Sequence, residues 1–214
     1  RHAKRVAALA RGLEMQALGK HEEARKYFTQ GIDVSPQLAF GLLKALQDAG
    51  VETIIAPYEA DAQLAFLART GQIHAVITED GDLLAYGCPR VFFKMADDGT
   101  GREVEFQTLF NTEHDPSDPL DLRRFSGDKF LTLCCLMGCD YCPPVQSVGR
   151  KTAWDIARRN AGVDDAVHAL IRTKGRLAVP KEYRNNLARA RMTFLHQRVY
   201  DPRIGHTVFL TPLP

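Results

Sequence analysis

Two pairs of carboxylates in the sequence, Glu59 with Asp61 and Asp80 with Asp82, each place two acids two residues apart directly after a short apolar run. Carboxylates that lie close together repel one another and raise one another's pKa unless cations compensate them. Oxygen ligands select hard divalent cations such as Mg²⁺. The types and spacing of these residues therefore predict a metal site of the kind that promotes attack on a phosphodiester.

The elements that must position these acids are two strands and a helix. Residues 52–56 and 74–78 are β-branched runs typical of buried strands, and residues 58–70 between them have the apolar spacing of a helix. A strand–helix–strand unit implies parallel strands, whose carboxyl ends lie at one edge of a sheet. Both pairs are therefore expected in one cleft, with Asp140, just after an apolar helix at 127–137, as a fifth acid.

A single aspartate after a strand has a simpler explanation, because such a residue often caps the N-terminus of the next helix. Capping explains any one of these acids better than a metal site does. Two pairs at successive strand ends are harder to explain in this way. The pattern therefore favours a shared carboxylate cage for two metal ions about 3.5–4 Å apart.

Charge is distributed unevenly along the 214 residues, although the net charge is only +2. Residues 52–140 hold 7 basic and 16 acidic residues, whereas residues 141–214 hold 13 basic and 5 acidic residues. An acidic centre beside a basic segment fits a cation site next to a surface that binds a polyanion. No apolar run approaches the roughly 20 residues of a membrane-spanning helix and no signal peptide is visible, so no membrane association is expected.

The five cysteines, an odd number, favour reduced thiols in a cytosolic or nuclear protein over a disulfide framework. Cys139 and Cys142 have the spacing of half a zinc site, but neither a second such pair nor a pair of histidines follows. Buried thiols are therefore the favoured interpretation, with zinc as the alternative.

Helices are predicted over much of the remaining chain. Two short helices broken at Gly19 are expected within 6–32, and Ser35 with Pro36 is suited to begin a helix at 37–48. The segments RVFFKM, DDGTG and REVEF predict a hairpin at a sheet edge. Further helices are predicted at 127–137, 150–160, 164–173 and 182–200.

Three arginines in the last predicted helix recur every seven residues along one side: Arg184, Arg191 and Arg198. Long basic side chains at such positions either pack their stems and expose their heads, or contact phosphates. Trp154 and Phe194 are predicted as core residues rather than as platforms for stacked bases.

The chain resembles the flap endonuclease and exonuclease 1 family of structure-specific 5′ nucleases in four motifs that occur in the family's order: PYEADAQLAFL, ITEDGDLLAYG, GCDY and SVGRKTA. It is most similar to the eukaryotic exonuclease 1 branch in the segments YGCPRVFFKM and VPKEYRNNLARARMTFLHQRVYDP. The resemblance extends from about Gly12 to Pro202 and covers the family's internal nuclease region.

The resemblance implies Mg²⁺-dependent hydrolysis of DNA from or near a 5′ end, with two metal ions and with Mn²⁺ able to replace Mg²⁺. The expected substrate is double-stranded DNA with nicks, gaps, recessed 5′ ends or 5′ flaps, cut by a nuclear, monomeric repair enzyme. Two further family aspartates belong to an N-terminal part that this chain does not contain, so the chain alone is expected to cleave weakly or not at all. Five acids match the family's metal ligands: Glu59, Asp61, Asp80, Asp82 and Asp140. The resemblance implies that Asp80, Asp82 and Asp140 are also catalytic.

The connection between two of the predicted helices resembles the family's helix–two-turn–helix element, which holds duplex DNA through backbone amides and a monovalent cation. Gly149 permits a tight turn, and the helix after it offers free N–H groups together with Arg150 and Lys151 for phosphate oxygens. Ser147 stands where the family usually has the first glycine of a Gly-x-Gly turn. A backbone carbonyl such as that of Val148 is the expected ligand for K⁺ or Na⁺.

The expected fold is α/β, with a parallel-sheet nuclease core (PIN-like) and a C-terminal helical lobe that contains the helix–two-turn–helix element. The expected division is a helical arch with connecting helices at 1–50, the α/β nuclease core with its acidic metal site at 51–140, and a basic helical DNA-binding lobe at 141–214. The leading interpretation is a 5′→3′ exonuclease with 5′ flap endonuclease activity. One alternative is a flap endonuclease of replication and repair. The other is a DNA-binding module without catalysis, and the intact set of acids argues against it.

Overall fold

The computed structural model describes residues 2–32, 34–111 and 120–214. The chain divides into two compact units, at residues 1–54 and 55–214. None of the described helices is long and apolar enough to cross a membrane.

The described residues of the first unit form three helices: α1 (His2–Ala17), α2 (His21–Gly31) and α3 (Pro36–Asp48). Between α1 and α2, Gly19 has a φ of +72°, where a residue with a Cβ would be strained. The two helices approach closely at Gly12 of α1. A Cβ at this position would lie 2.6 Å from the ring of Phe28, so glycine leaves the room that the ring needs. The predicted helical hairpin broken at Gly19 is therefore confirmed.

Local signals determine both ends of α3. The hydroxyl of Ser35 accepts a hydrogen bond from the backbone N–H of Leu38 at 3.2 Å, and Pro36 occupies the first turn. After the helix, Gly50 has a φ of +74°, as its predicted role in ending the helix requires.

The second unit contains a mixed three-stranded sheet of β1 (Val76–Ile77), β2 (Arg90–Phe93) and β3 (Arg102–Glu105), in that order. β1 pairs with β2 in parallel, with Val76 opposite Val91. β2 pairs with β3 in the antiparallel sense, with Arg90 opposite Glu105. The predicted hairpin at a sheet edge is confirmed, and the sheet is only partly parallel.

The strand predicted at 52–56 is wrong. These residues belong to no described strand, and the side chain of Ile55 is 73% exposed. β-branched residues favour a strand only where a neighbouring strand satisfies their backbone N–H and C=O groups, and no described strand lies there to do so. The strand predicted at 74–78 is also shorter than expected, because only Val76 and Ile77 are paired.

Helices and a second hairpin complete this unit. The helix predicted at 182–200 ends at His196, and Arg198 belongs to a strand in which Val199 lies opposite Val208. Gln197 already has an extended ψ of 146°, which ends the helix. The elements are α4 (Ala60–Arg69), α5 (Asp82–Ala85), α6 (Gly127–Met137), α7 (Arg150–Ala157), α8 (Val163–Lys174), α9 (Tyr183–His196), β4 (Arg198–Asp201) and β5 (His206–Phe209).

The core of the second unit includes the contacts of α6 with α5 and α9. Its largest fully buried side chains include those of Leu83, Leu136 and Phe194. All five cysteines are free thiols, and the buried ones are Cys88, Cys135 and Cys142. The apolar helix α6 therefore serves as a central packing element rather than as a membrane segment, and it ends three residues before Asp140.

Candidate functional site

The first acidic pair lies at the N-terminus of α4. Glu59 occupies the N-cap position with an extended backbone, but its side chain makes no capping hydrogen bond. Asp61 follows in the first turn, where its side chain is half-buried. Helix capping, the simpler explanation of these acids, therefore does not account for the carboxylate of Glu59.

The second pair follows β1. The hydroxyl of Thr78 accepts a hydrogen bond from the N–H of Asp80 at 2.9 Å, and Oδ1 of Asp80 accepts one from the N–H of Asp82 at 3.0 Å. These two bonds form a tight turn that starts α5 at Asp82. Glu79 has a different function, since its Oε1 accepts a hydrogen bond from the N–H of Lys94 at 2.7 Å.

Asp140 is exposed in the turn after α6. The turn is closed by two backbone hydrogen bonds between Cys139 and Cys142, at 3.0 and 3.2 Å. Gly138 starts it with a φ of +99°. The position of Asp140 is therefore determined by the backbone on both sides of it.

The five acids are linked electrostatically through Asp61 and Asp82. Burial raises the pKa of Asp61 to about 6, and the charges of Asp80, Asp82 and Glu59 add to this rise. Burial also raises the pKa of Asp82, with contributions from Asp80, Asp140 and Glu59. The structure therefore brings together the acids that the sequence placed after two apolar runs and after α6.

The donor set of this acidic cluster fits a hard divalent cation, because it consists of oxygen ligands whose mutual repulsion a cation would relieve. Among the described residues, however, no group of three or more His, Cys, Asp or Glu side chains is arranged to hold a metal ion. The acids thus converge without forming a closed coordination shell.

We expect the metal-free protein to lose stability as the pH rises from about 4 to about 6. The folded-state pKa of Asp61, about 6, lies above the ordinary value of 3.8, so folding strengthens proton binding and stability is lost as that proton dissociates. Since Asp61 is half-buried, solvent screening limits the loss to about 1 kcal/mol.

Asp61→Asn should remove this pH dependence and stabilise the metal-free protein at neutral pH. Urea unfolding across that pH range measures the effect, with Asp97→Asn, which removes an exposed carboxylate, as the control. An unchanged pH dependence in Asp61→Asn would show that other groups cause it.

A hydrogen-bonded network joins the segments that carry the acids. The hydroxyls of Tyr86, just after α5, and Tyr141, just after Asp140, are 2.6 Å apart. Oε1 of Gln197 accepts a hydrogen bond from the N–H of Glu59 at 3.3 Å, and Gln197 also bonds the hydroxyl of Tyr141. Burial and the bond to Tyr141 raise the pKa of Tyr86 far above its usual range, so its hydroxyl stays protonated.

Gln63 fixes α4 against β4. Its Nε2 donates to the carbonyl of Tyr200 at 2.8 Å, and its Oε1 accepts from the N–H of Tyr200 at 2.7 Å. Gln63 is only 3% exposed. One side chain thus satisfies both backbone groups of a strand residue and holds the helix that begins with the first acidic pair.

Gln63→Leu is expected to lower the free energy of unfolding by about 2 kcal/mol, because it leaves the part-buried N–H and C=O of Tyr200 without their partners. Thermal or urea unfolding measures this loss. Gln107→Leu is the matched control, because Gln107 is exposed. Equal stability of the two variants would mean that water replaces Gln63 without cost.

The segment before α7 has its left-handed residue at Ser147, whose φ is +64°, and not at Gly149. Gly149 is the N-cap of α7 with a φ of −93°, a conformation open to any residue, so its predicted role in permitting a tight turn is wrong. The turn instead includes a hydrogen bond from the N–H of Val148 to the carbonyl of Val145 at 3.0 Å. Arg150 and Lys151 are exposed in the first turn of α7, where backbone N–H groups have no intrahelical partner.

The three arginines predicted to share one helix face have three separate environments. Arg191 has only 12% of its side chain exposed and donates to the hydroxyl of Thr132 at 2.7 Å. Arg184 forms an ion pair with Asp164. Arg198 lies in β4 with its guanidinium 4.7 Å from the ring of Phe209. The predicted stripe therefore does not exist, because the helix ends before its last member.

Comparison with known proteins identifies the region that holds the acidic cluster. The family model described as the XPG I-region matches residues 50–140. These residues belong to the XPG I-region family. The match ends at Asp140 and includes both acidic pairs, so all five acids of the cluster lie within the XPG I-region.

The whole chain is similar to exonuclease 1. It is 39% identical over 202 residues to exonuclease 1 of Arabidopsis thaliana, with 94% of this chain and 26% of that protein aligned. The chain thus spans about a quarter of the length of this curated relative. This similarity confirms the predicted resemblance to the flap endonuclease and exonuclease 1 family.

Two solved structures share the fold. Flap endonuclease-1 from Methanococcus jannaschii is 25% identical and superposes with a TM-score of 0.59 over 82% of this chain and 49% of its own. The catalytic core of Rad2 in complex with DNA substrate is 16% identical, with a TM-score of 0.59 over 85% of this chain and 62% of its own. The mixed α/β architecture around the XPG I-region is therefore that of a flap endonuclease and Rad2 nuclease core.

Sequence reasoning missed the residues that hold the XPG I-region acids in place. Gln197 and Glu59 lie 138 residues apart in the sequence, so no local pattern connects them. The sequence contains a weak indication of the role of Gln63, because this polar residue lies between the buried Ala62 and Ala65 on α4. A buried polar residue within an apolar helix pattern usually has a specific partner.

Proposed function

We propose that this chain is the internal nuclease region of a Mg²⁺-dependent 5′→3′ exonuclease that acts on double-stranded DNA and also cuts 5′ flaps. The observation that carries this proposal is the convergence of the five acids of the cluster within the XPG I-region, where burial and then the charges of neighbouring acids raise the pKa of Asp61 to about 6. Carboxylates clustered at this density destabilise a fold unless cations compensate their mutual repulsion. A scaffold or binding module without catalysis would gain nothing from such a cluster of carboxylates.

Within this proposal the five acids hold two Mg²⁺ ions, for which Mn²⁺ can substitute, and the ligands are Glu59, Asp61, Asp80, Asp82 and Asp140. Bound Mg²⁺ would supply an activated water and stabilise charge on the scissile phosphate. Asp80, Asp82 and Asp140 are the acids assigned directly to catalysis. The bond from the N–H of Asp82 to Oδ1 of Asp80 keeps these two carboxylates in a defined turn, and the Tyr86–Tyr141 contact ties α5 to the Asp140 turn.

DNA binding is assigned to the basic helical lobe, residues 141–214. The free N–H groups that follow Gly149, with the side chains of Arg150 and Lys151, would contact phosphate oxygens, and the carbonyl of Val148 would bind K⁺ or Na⁺. Such contacts fix the register of the duplex and read no bases. Ser147 supports this helix–two-turn–helix assignment, because its φ of +64° supplies the left-handed conformation for which the family uses glycine.

The substrates proposed are nicks, gaps, recessed 5′ ends and 5′ flaps, processed by a nuclear monomer in mismatch repair and recombination. We assign connecting helices to residues 1–50, the metal site to residues 51–140 and duplex binding to residues 141–214. A flap endonuclease is the second candidate, favoured by the similarity to the Methanococcus jannaschii enzyme.

Cleavage of a labelled nicked or recessed duplex, compared with a 5′ flap, by the intact protein in Mg²⁺ tests the proposal. Progressive shortening of the nicked duplex from its 5′ end is the expected result. Strong preference for the flap would favour the second candidate. Cleavage of neither substrate, together with intact duplex binding, would favour a DNA-binding module.

Arg150→Ala combined with Lys151→Ala is expected to weaken duplex binding equally for all sequences. Each lost phosphate contact should lower the slope of log affinity against log salt concentration by up to about one unit, because fewer counterions are released. Anisotropy titrations at several KCl concentrations measure the slope. An unchanged slope would mean that both side chains face solvent in the complex.

A further inference from the structure

A cavity of about 640 Å³ lies at the C-terminal end of α7, apart from the acidic cluster. Five cationic side chains line it, against the single carboxylate of Asp121. The rings of Phe125 and Trp154 form part of its wall. A cavity lined by more cations than anions attracts anions and raises their local concentration.

The single carboxylate is already committed to one of the cations. Asp121 accepts hydrogen bonds from Nε and from one terminal nitrogen of Arg123, at 3.0 and 2.8 Å. Its backbone carbonyl accepts another from Nε1 of Trp154 at 2.8 Å. Asp121 therefore neutralises Arg123, and among the described residues only Arg158 of the other four cations has an acidic partner, Asp155 at 3.3 Å.

A second cation, Arg158, is held by its ion pair with Asp155 and by an aromatic ring. The guanidinium of Arg158 lies 4.7 Å from the Trp154 ring, against which Phe125 also stacks. Nε of Arg158 is buried and has no hydrogen-bond partner among the described residues. A buried donor without a partner is costly, and an anion in the cavity would provide an acceptor close to it.

Three further cations of the cavity, Arg124, Lys129 and Arg159, form no ion pair within the described ranges 2–32, 34–111 and 120–214. Arg124 also has a φ of +71°, a conformation that costs an ordinary residue free energy and that is found most often at functional sites. Because Trp154 is covered by Phe125 and Arg158, the cavity offers charge and N–H donors rather than an open aromatic face.

We propose that this cavity is a second contact site for the phosphate backbone of duplex DNA, and this rests on the proposed function. α7 has 8 residues, so the cavity lies roughly 12 Å from Arg150 at the start of the helix. With about 3.4 Å of duplex axis per phosphate on one strand, this spacing corresponds to about three or four phosphates. One helix therefore contacts the same duplex at both ends.

The test measures the salt dependence of duplex binding by the intact protein without Mg²⁺, so that no cleavage occurs. Arg124→Gln with Arg159→Gln should lower the log–log slope by up to about two units, one for each lost contact. The control is Arg176→Gln with Lys181→Gln, which removes the same charge from exposed residues that do not line the cavity. The control should change the slope much less. Thermal unfolding confirms that both variants fold.

Each remaining outcome overturns the proposal in a different way. An unchanged slope in the Arg124 and Arg159 variant, with a reduced slope in the Arg150 and Lys151 variant, would reject the cavity and leave the proposed function intact. A wild-type protein without salt-dependent duplex binding would reject both. An unchanged slope together with saturable binding of deoxyadenosine monophosphate that the variant loses would make the cavity a site for free nucleotides instead.

Discussion

Asp80→Asn or Asp140→Asn in the intact protein is expected to reduce DNA cleavage by about 10²–10³-fold or more, which is the usual effect of losing one electrostatic catalytic group. An amide is a neutral and weaker metal ligand than a carboxylate. In Asp80→Asn the amide oxygen can still accept the hydrogen bond from the N–H of Asp82, so the turn that starts α5 is retained. Duplex binding should stay the same or become tighter, because negative charge near the DNA is removed.

Single-turnover cleavage of a labelled nicked duplex in Mg²⁺ measures the rate, and anisotropy without Mg²⁺ measures the binding. Glu79→Gln is the matched control, because Glu79 belongs to the same acidic run but accepts a hydrogen bond from the N–H of Lys94 at 2.7 Å, which an amide oxygen can also accept. This control should cleave at the wild-type rate. Wild-type turnover by both Asp80→Asn and Asp140→Asn would reject the assignment of these acids to the metal site.

The parts of the fold that sequence predicted well are those with strong local signals. Ser35 before Pro36 predicted the start of α3, and the helix predicted at 127–137 has the same bounds as α6, with Ser126 as its N-cap. The side-chain hydroxyl of Ser126 accepts a hydrogen bond from a backbone N–H in the first turn of α6. A cap and its helix lie within a few residues of each other, so their relation can be read from the sequence.

The wrong predictions concern features that depend on distant residues. Residues 52–56 have strand-forming side chains but no described strand beside them, and β-structure requires a partner. Arg198 continues a helical spacing, yet it pairs with Phe209 in a hairpin. The rule that parallel strands end at one edge of a sheet predicts the convergence of the acids, but only the strand before Asp80 exists among the described residues. The acids meet because α4 and α5 begin close together, although no described strand precedes Glu59 and Asp61. The glutamines and tyrosines that hold the acids obey no such rule.

Phe194→Ala is expected to lower the free energy of unfolding by about 3–5 kcal/mol, the usual cost of removing a fully buried phenyl ring. Phe194 is only 1% exposed, and its ring centroid lies 4.8 Å from that of Tyr86 and 5.1 Å from that of Tyr141, both in edge-to-face geometry. The control is Phe40→Ala, because Phe40 is 65% exposed. That variant should change stability by no more than about 0.5 kcal/mol.

The same substitution should also affect the acidic cluster, because Phe194 supports both tyrosines whose hydroxyls are 2.6 Å apart. Without the ring, Tyr86 and Tyr141 can move, and the segments that carry Asp82 and Asp140 lose their common support. Cleavage by Phe194→Ala, measured well below its melting temperature, should therefore fall while duplex binding persists. Phe194→Leu refills part of the cavity and should recover part of both losses. Equal stability of Phe194→Ala and Phe40→Ala would reject this packing account, and full cleavage by folded Phe194→Ala would show that the tyrosine contact does not position the acids.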